Sequence, residues 1–300
     1  LLWALVHKKI NTSIFMLGIA AIIAIDEIKV AAKYLNEENY KDEADYEMEL
    51  APREVDAQIL KDTDPYYRVL DLTRATFEDA IQSYHHKTVG GYSPAKMEIY
   101  QDLINMQLSG NTINSEVLNM LNTKYVKYSP GAAPISNIHA LGNAWFVNDL
   151  KMVATADEEM QALAEMNPAT EVVVNKEYES LLSGAGSPDS AARATMTSYG
   201  TRRINYEVST PVAAPLVFSE IYYPAGWVCR IDGQETPYFR ANYFLRGVVV
   251  PAGEHKVEWS FEPKTYETGI KVNMAGSVSL LLLVLLVFGA EVWKWWRKGA

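Results

Sequence analysis

The sequence predicts a membrane-anchored α+β chain, with transmembrane helices at both ends flanking an extracytoplasmic α/β subdomain and a C-terminal β-sandwich. Three observations predict it. Met274–Ala290 is uncharged and almost wholly apolar. A second apolar stretch, Ile10–Ile25, lies near the start. Between the two, the pattern changes from strand–helix–strand to strands alone.

Taken in order, residues 1–28 read as a transmembrane region. Leu1–Val6 is apolar and reads as the stub of an earlier helix, which makes the chain the C-terminal part of a longer multi-spanning protein. The basic turn His7-Lys8-Lys9 follows, then the span Ile10–Ile25 with Asp26 at its outer end. Ionisable residues at membrane depth are costly and often functional, whereas a carboxylate at the water interface is ordinary. Asp26 fits either description. No small-residue cleavage site follows the apolar run, so it is not a signal peptide.

Residues 29–182 are assigned to the α/β subdomain. Lys29 to Leu50 is mixed and polar, a helix then a loop. Its acidic run, Glu37 to Glu49, shows no ligand order and reads as a solvated face. Tyr67–Leu72 alternates as a strand does. Ala95–Leu108 places Met97, Tyr100, Leu103, Ile104 and Leu108 at helical spacing. Ser115–Leu121 is a short helix capped by Asn114 or Ser115. Tyr125–Tyr128, Ala144–Ala154 and Glu171–Val174 are strands, with an acid-led helix over Asp157–Met166.

Residues 183–192 (Ser-Gly-Ala-Gly-Ser-Pro-Asp-Ser-Ala-Ala) are the linker. Residues 193–268 are the β-sandwich. Ile204, Tyr206 and Val208 alternate, as do Trp227, Cys229 and Ile231, and Val257, Trp259 and Phe261. Asp232-Gly233 is a hairpin turn, because glycine accepts positive φ without steric cost. Cys229, the one cysteine, falls on a strand's apolar face and reads as a buried structural thiol. Residues 269–293 form the second span and 294–300 a cytoplasmic tail. Trp293, Trp295 and Trp296 suit the interface, and Lys294, Arg297 and Lys298 mark the cytoplasmic side. Lys8 and Lys9 then fall on that same side, which leaves residues from about 30 to 270 outside.

A net charge of −10 argues against nucleic acid as a partner, since that requires a basic groove or stripe. The lipid bilayer is the partner the apolar runs call for. The richest chemical constellation is Ser83-Tyr-His-His-Lys-Thr-Val-Gly-Gly-Tyr-Ser-Pro-Ala-Lys96. His85, His86, Lys87 and Lys96 could meet an anionic group. Gly90 and Gly91 let backbone approach a ligand, and Tyr92 lies beside them. The other reading is an ordered loop entering the helix at Ala95. The spacing fits no metal motif, since the adjacent histidines cannot point the same way, and it is no P-loop. No nucleophile elbow, Ser/His/Asp spacing or dinucleotide fingerprint occurs, so no cofactor is evident and the catalytic residues are unassigned.

Several phrases together resemble the YfhO family of bacterial membrane proteins. They are Tyr66-Tyr-Arg-Val-Leu-Asp-Leu, the 83–103 segment, Leu118-Asn-Met-Leu-Asn-Thr-Lys-Tyr, Tyr222-Tyr-Pro-Ala-Gly-Trp with Ile231-Asp-Gly, and Arg240-Ala-Asn-Tyr-Phe-Leu-Arg-Gly through Val257. The resemblance implies a large multi-pass protein of the bacterial cytoplasmic membrane, similar to glycosyltransferases that use polyprenyl-phosphate sugars. It implies transfer of a sugar to a cell-envelope glycopolymer, with the catalytic acid in an early loop that precedes the residues present here. A divalent metal could assist in the full-length protein. On this view the outer region positions the acceptor, and the sandwich aromatics Trp227, Tyr238, Phe239, Tyr243, Phe244 and Trp259 are candidates to stack on sugar rings, though strand alternation must bury half of them. The alternative is a non-catalytic interaction or scaffold module.

Overall fold

A computed structural model of the chain describes residues 1–34, 36–64, 66–110 and 113–299, with the backbone alone at 291, 295, 298 and 299. The chain is mixed α/β and divides into two compact units, Leu1–Arg53 and Glu54–Ala300.

The first unit is helical. α1 (Leu2–Val6) turns at His7–Lys9 into α2 (Thr12–Tyr34), and α3 (Glu43–Leu50) follows a short 3-10 turn at Glu37–Asn39. Asn11 accepts a hydrogen bond from Ile14 N at 2.9 Å and so caps the start of α2. α2 runs nine residues past Ile25, so Asp26 lies within the helix rather than at its end, and the boundary expected at 28/29 falls inside one element. Helical hydrogen bonding continues because Ile28, Val30, Ala31 and Ala32 carry no break. None of the residues in α2 is buried within the unit.

The second unit begins with α4 (Glu54–Ile59), which covers a three-stranded sheet of β1 (Arg68–Asp71), β2 (Thr123–Lys127) and β3 (Ile135–Ser136). β1 and β2 are parallel and β3 is antiparallel to β2. Val55, Ile59 and Val69 form the small core between them. The crossover from β1 to β2 carries α5 (Glu98–Leu103), a single π turn at Ile104–Leu108 and α6 (Ser115–Met120). Asn114 Oδ1 accepts from Glu116 N and Val117 N, the cap its position predicts.

A six-stranded sheet follows, in the order β4 (Ala144–Phe146), β9 (Ala214–Ile221), β13 (Leu245–Val250), β12 (Phe239–Ala241), β6 (Glu171–Asn175), β5 (Asp149–Val153). β5 and β6 are parallel, joined by α7 (Ala156–Ala162), whose Thr155/Glu158 capping box secures its first turn. After β6 the short α8 (Glu179–Leu182) leads into the irregular segment 183–192.

The last sheet is five-stranded and antiparallel: β11 (Gln234–Thr236), β10 (Trp227–Ile231), β14 (Gly253–Phe261), β8 (Arg203–Thr210), β7 (Arg193–Tyr199). Asp232 (φ 51°) and Gly233 (φ 82°) make the predicted turn between β10 and β11. The two large sheets pack face to face as a sandwich. Ile204, Tyr206, Val208, Cys229, Val257 and Trp259 meet Leu216, Phe218, Val248 and Val250. Cys229 is fully buried, and burial pushes its thiol up to about 12, which keeps it an unreactive core group.

The segment 183–192 therefore divides the sequence but not the fold. β6 lies before it and β12 after it, yet they pair at Ala241 and Val174. A second core joins Val172, Val173, Val174, Val217 and Leu245 of the shared sheet to Leu103, Val117, Met120, Met160 and Leu163 of the helical segments. The sandwich accordingly draws β4, β5 and β6 from the region assigned to the α/β subdomain.

α9 (Lys264–Gly299) follows β14 after the two residues Glu262 and Pro263. Among the described residues it is the one helix long and apolar enough to cross a membrane. Its apolar run has no partner within the unit, as Leu280–Val287 are each more than half exposed. α2 falls short of that standard because Asp26, Glu27, Lys29 and Lys33 crowd its last third. The side chains of Trp295 and Lys298, expected at the interface and in the tail, lie outside the described residues.

Candidate functional site

The loop 83–96 adds itself to the edge of β1. Val69 N donates to Lys87 O at 2.8 Å and Val89 N donates to Val69 O at 3.1 Å. Extended backbone sends neighbouring side chains to opposite faces, so His86 turns inward and Lys87 outward.

His86 enters a buried ion network. Its Nε2 lies 3.0 Å from Asp56 Oδ1, Asp56 is 2.7 Å from Lys127 Nζ, and Lys127 is 2.7 Å from Asp71 Oδ2. Thr73 Oγ1 donates to Asp71 at 2.6 Å. Burial lowers the His86 pKa, outweighing the pull of Asp56, so the ring is neutral at neutral pH. Burial alone would raise the Asp71 carboxyl, but the hydrogen bonds from Lys127 and Thr73 bring it below its ordinary value. With Asp56, Asp71, His86 and Lys127 each under 9 % exposed, these four ionisable groups join α4, β1, β2 and the loop as a buried brace.

The glycine pair also serves packing. A Cβ on Gly90 would lie 1.9 Å from Thr76 O. That carbonyl accepts from Gly91 N at 2.8 Å and Gln82 Nε2 at 2.7 Å. The close approach is thus to the protein's own backbone. His85 is half-buried beside His86, Tyr92 is exposed and Lys96 is half-buried. Among the described residues, neither Tyr92 nor Lys96 is joined to Lys87 by a hydrogen bond, ion pair or ring contact. The helix does not begin at Ala95; α5 begins at Glu98, with Met97 in the cap position.

Lys87 alone reaches a constellation with binding chemistry. Its ammonium stands 3.9 Å from the Tyr199 ring centroid and 4.8 Å from that of Tyr66. Burial and then the nearby Arg68 lower its pKa. Behind it, Arg68 donates through Nη1 to Leu121 O (2.8 Å), Ser219 O (2.9 Å) and Ser219 Oγ (2.9 Å). Glu220 lies between two guanidinium groups, 3.4 Å from Arg68 Nη2 and 3.7 Å from Arg246 Nη2. Arg246 donates through Nε to Ile221 O and stacks between Trp227 (4.1 Å) and Trp259 (5.0 Å).

Two guanidinium groups thus flank one carboxylate, whose charge is also felt at the Lys87 ammonium, in a chain of net charge −10. Tight charge-assisted bonds run about 2.7–2.9 Å, so Glu220 is held loosely enough to accept a hydroxyl from outside. Arg68 is committed to carbonyls and Arg246 is buried against its two indoles, which leaves Lys87 as the exposed cation of the three. Strand register fixes where this lies. Leu245 pairs with Ile221, Trp227 with Phe261, and Arg203 with Ser260. These mark one end of the sandwich, the end from which α9 departs.

Arg68, Glu220 and Arg246 were not singled out from sequence. A signal existed: Leu216, Phe218 and Glu220 alternate on one face of β9, as do Arg246, Val248 and Val250 on β13. A charge continuing an inward-facing row is worth noting. Among the described residues, no group of three or more His, Cys, Asp or Glu is placed to hold a metal ion. Comparison with known proteins adds no family: no protein-family model matches the chain, and neither a curated protein nor a solved structure matches it.

Proposed function

We propose that this chain is the membrane-anchored outer portion of a YfhO-like envelope protein, and that it positions an acceptor for glycosyl transfer from a polyprenyl-phosphate-linked sugar. In this reading α9 crosses the bacterial cytoplasmic membrane, and Glu54–Pro263 stands on the extracytoplasmic side. The observation that carries it is the cluster of Lys87, Arg68, Arg246 and Glu220 at the α9 end of the sandwich. A cationic group rimmed by Tyr66 and Tyr199 suits the acidic groups of an envelope polymer, and its place suits a donor held in the bilayer. The cluster binds and orients; nothing in its makeup assigns it the chemical step. The quoted sequence phrases supply the glycosyl-transfer part of the reading.

A second reading, a non-catalytic scaffold, is favoured by one observation: His86, Gly90 and Gly91 are all committed to packing. One experiment separates the two. Membranes containing wild-type protein or Lys87→Ala at matched abundance are compared for sugar added to surface polymers. Loss of the added sugar in the variant supports acceptor positioning. Unchanged transfer favours the scaffold, and no transfer by either removes the glycosyl-transfer reading.

A further inference from the structure

The structure separates the sandwich aromatics into two sets. Phe239, Phe244 and Trp259 are at most 1 % exposed and belong to the cores. Tyr243 is tied through its Oη to Asp102 at 2.7 Å. Trp227 and Tyr238 instead join Tyr222, Glu235, Thr236 and Pro237 in lining a groove of about 550 Å³ along the β10–β11 edge.

The rings are set before any ligand arrives. Tyr222 and Tyr238 lie 5.8 Å apart at an interplanar angle of 62°. Tyr238 Oη donates to Trp227 O at 3.1 Å, and Tyr222 Oη is 3.1 Å from Tyr178 Oη. Arg246 backs the Trp227 indole. With both phenol groups engaged by protein, these side chains offer the groove their carbon surfaces. Fixed rings bind without a further ordering cost. The polar complement stands at the margin, where Glu235 is exposed and Thr236 half-exposed.

We infer that this groove binds a neutral pyranose-containing oligosaccharide. A pyranose has a face of C–H bonds that packs on aromatic carbon and a rim of hydroxyls that donate to a carboxylate and a threonine oxygen. A purely aliphatic ligand would leave Glu235 and Thr236 desolvated. An acidic sugar would meet the Glu235 charge, and the volume lies in the range of small-molecule sites. The inference stands on the lining of the groove and not on the glycosyl-transfer reading, so sugar binding by a protein without transfer activity leaves it intact.

The test uses the full chain in lipid nanodiscs, titrated with maltotriose, triacetylchitotriose and trigalacturonate, with saturation-transfer NMR and calorimetry as readouts. At least one neutral trisaccharide binds, and trigalacturonate binds more weakly. Tyr222→Ala weakens binding about tenfold or more, as for an aromatic anchor. Tyr222→Phe, which keeps the ring and controls for folding, retains it. Failure of both neutral sugars to bind, or binding that survives Tyr222→Ala, overturns the inference.

Discussion

Lys127 is 1 % exposed and lies 2.7 Å from each of two carboxylates, Asp56 and Asp71. Such a cation is held by need more than by surplus: desolvation takes back most of what the ion pairs give, but removing one partner strands the others. Lys127→Met therefore destabilises the second unit by about 3–5 kcal/mol, read as a lowered urea midpoint with unchanged slope. Glu159 is the converse case. It is fully buried 2.8 Å from Arg240 Nη2, and burial outweighs that partner and pushes its carboxyl up to about 7 from 4.5. A raised folded-state pKa means stability that is fully present below pH 4.5 and lost as pH rises through 7. Glu159→Gln removes the loss, so the melting temperature of wild type relative to the variant falls between pH 5 and pH 8. A constant difference across that range contradicts the assignment. These pairings were hidden in the sequence because Asp56, Asp71, His86 and Lys127 come from four separate segments. The structural thiol Cys229 was legible, since alternation within one strand sufficed.

At the scale of elements, local signals identified types and missed partners. The Asn114 cap, the acid-led helix before β6 and the Asp232-Gly233 turn each involve neighbours in sequence, and each stands in the structure. Ala144–Ala154 reads as one strand, yet it is β4 and β5 with a change of neighbour between them. Val147 N donates to Pro215 O, whereas Asn148 N and Asp149 N donate to Thr170 O. No periodicity encodes that switch. The loop 83–96 shows the same limit: a Gly-Gly pair signals close approach, but not to what. Since the approach is to Thr76 O, Gly90→Ala forces the backbone apart and costs about 1–3 kcal/mol. Gly131, with no atom within 4 Å of an added Cβ, supplies the control. Gly131→Ala is neutral or slightly stabilising, by up to about 1 kcal/mol. Equal effects at the two glycines in chemical denaturation would show that the Gly90 contact is not confining.

For the molecule as a whole, the strand–helix–strand order and the apolar run of α9 indicated a mixed fold with an apolar C-terminal helix, and the strand-rich end of the chain indicated a sandwich. What they could not indicate is that the sandwich is shared. A Gly/Ser/Pro-rich segment separates domains only if the elements on either side bury their faces separately. Here β6 pairs with β12, Val173 N donates to Asn242 Oδ1 at 2.8 Å, and Asn242 N donates to Val173 O at 2.8 Å. Val217 and Leu245, from beyond 183–192, lie in one core with Val117 and Leu163, from before it. The cluster around Lys87 depends on the same sharing, because Arg68 lies before the segment while Glu220 and Arg246 lie after it. Cutting the chain within 183–192 consequently leaves residues 54–263 as one cooperative body. Limited proteolysis in this exposed segment yields two pieces that co-elute on size exclusion under native conditions and part only in denaturant. Their unfolding follows a single transition by both circular dichroism and tryptophan fluorescence. Two transitions, or pieces that separate without denaturant, would show that the sheet shared across the segment does not hold the halves together, and the Lys87 cluster would then fall apart with them.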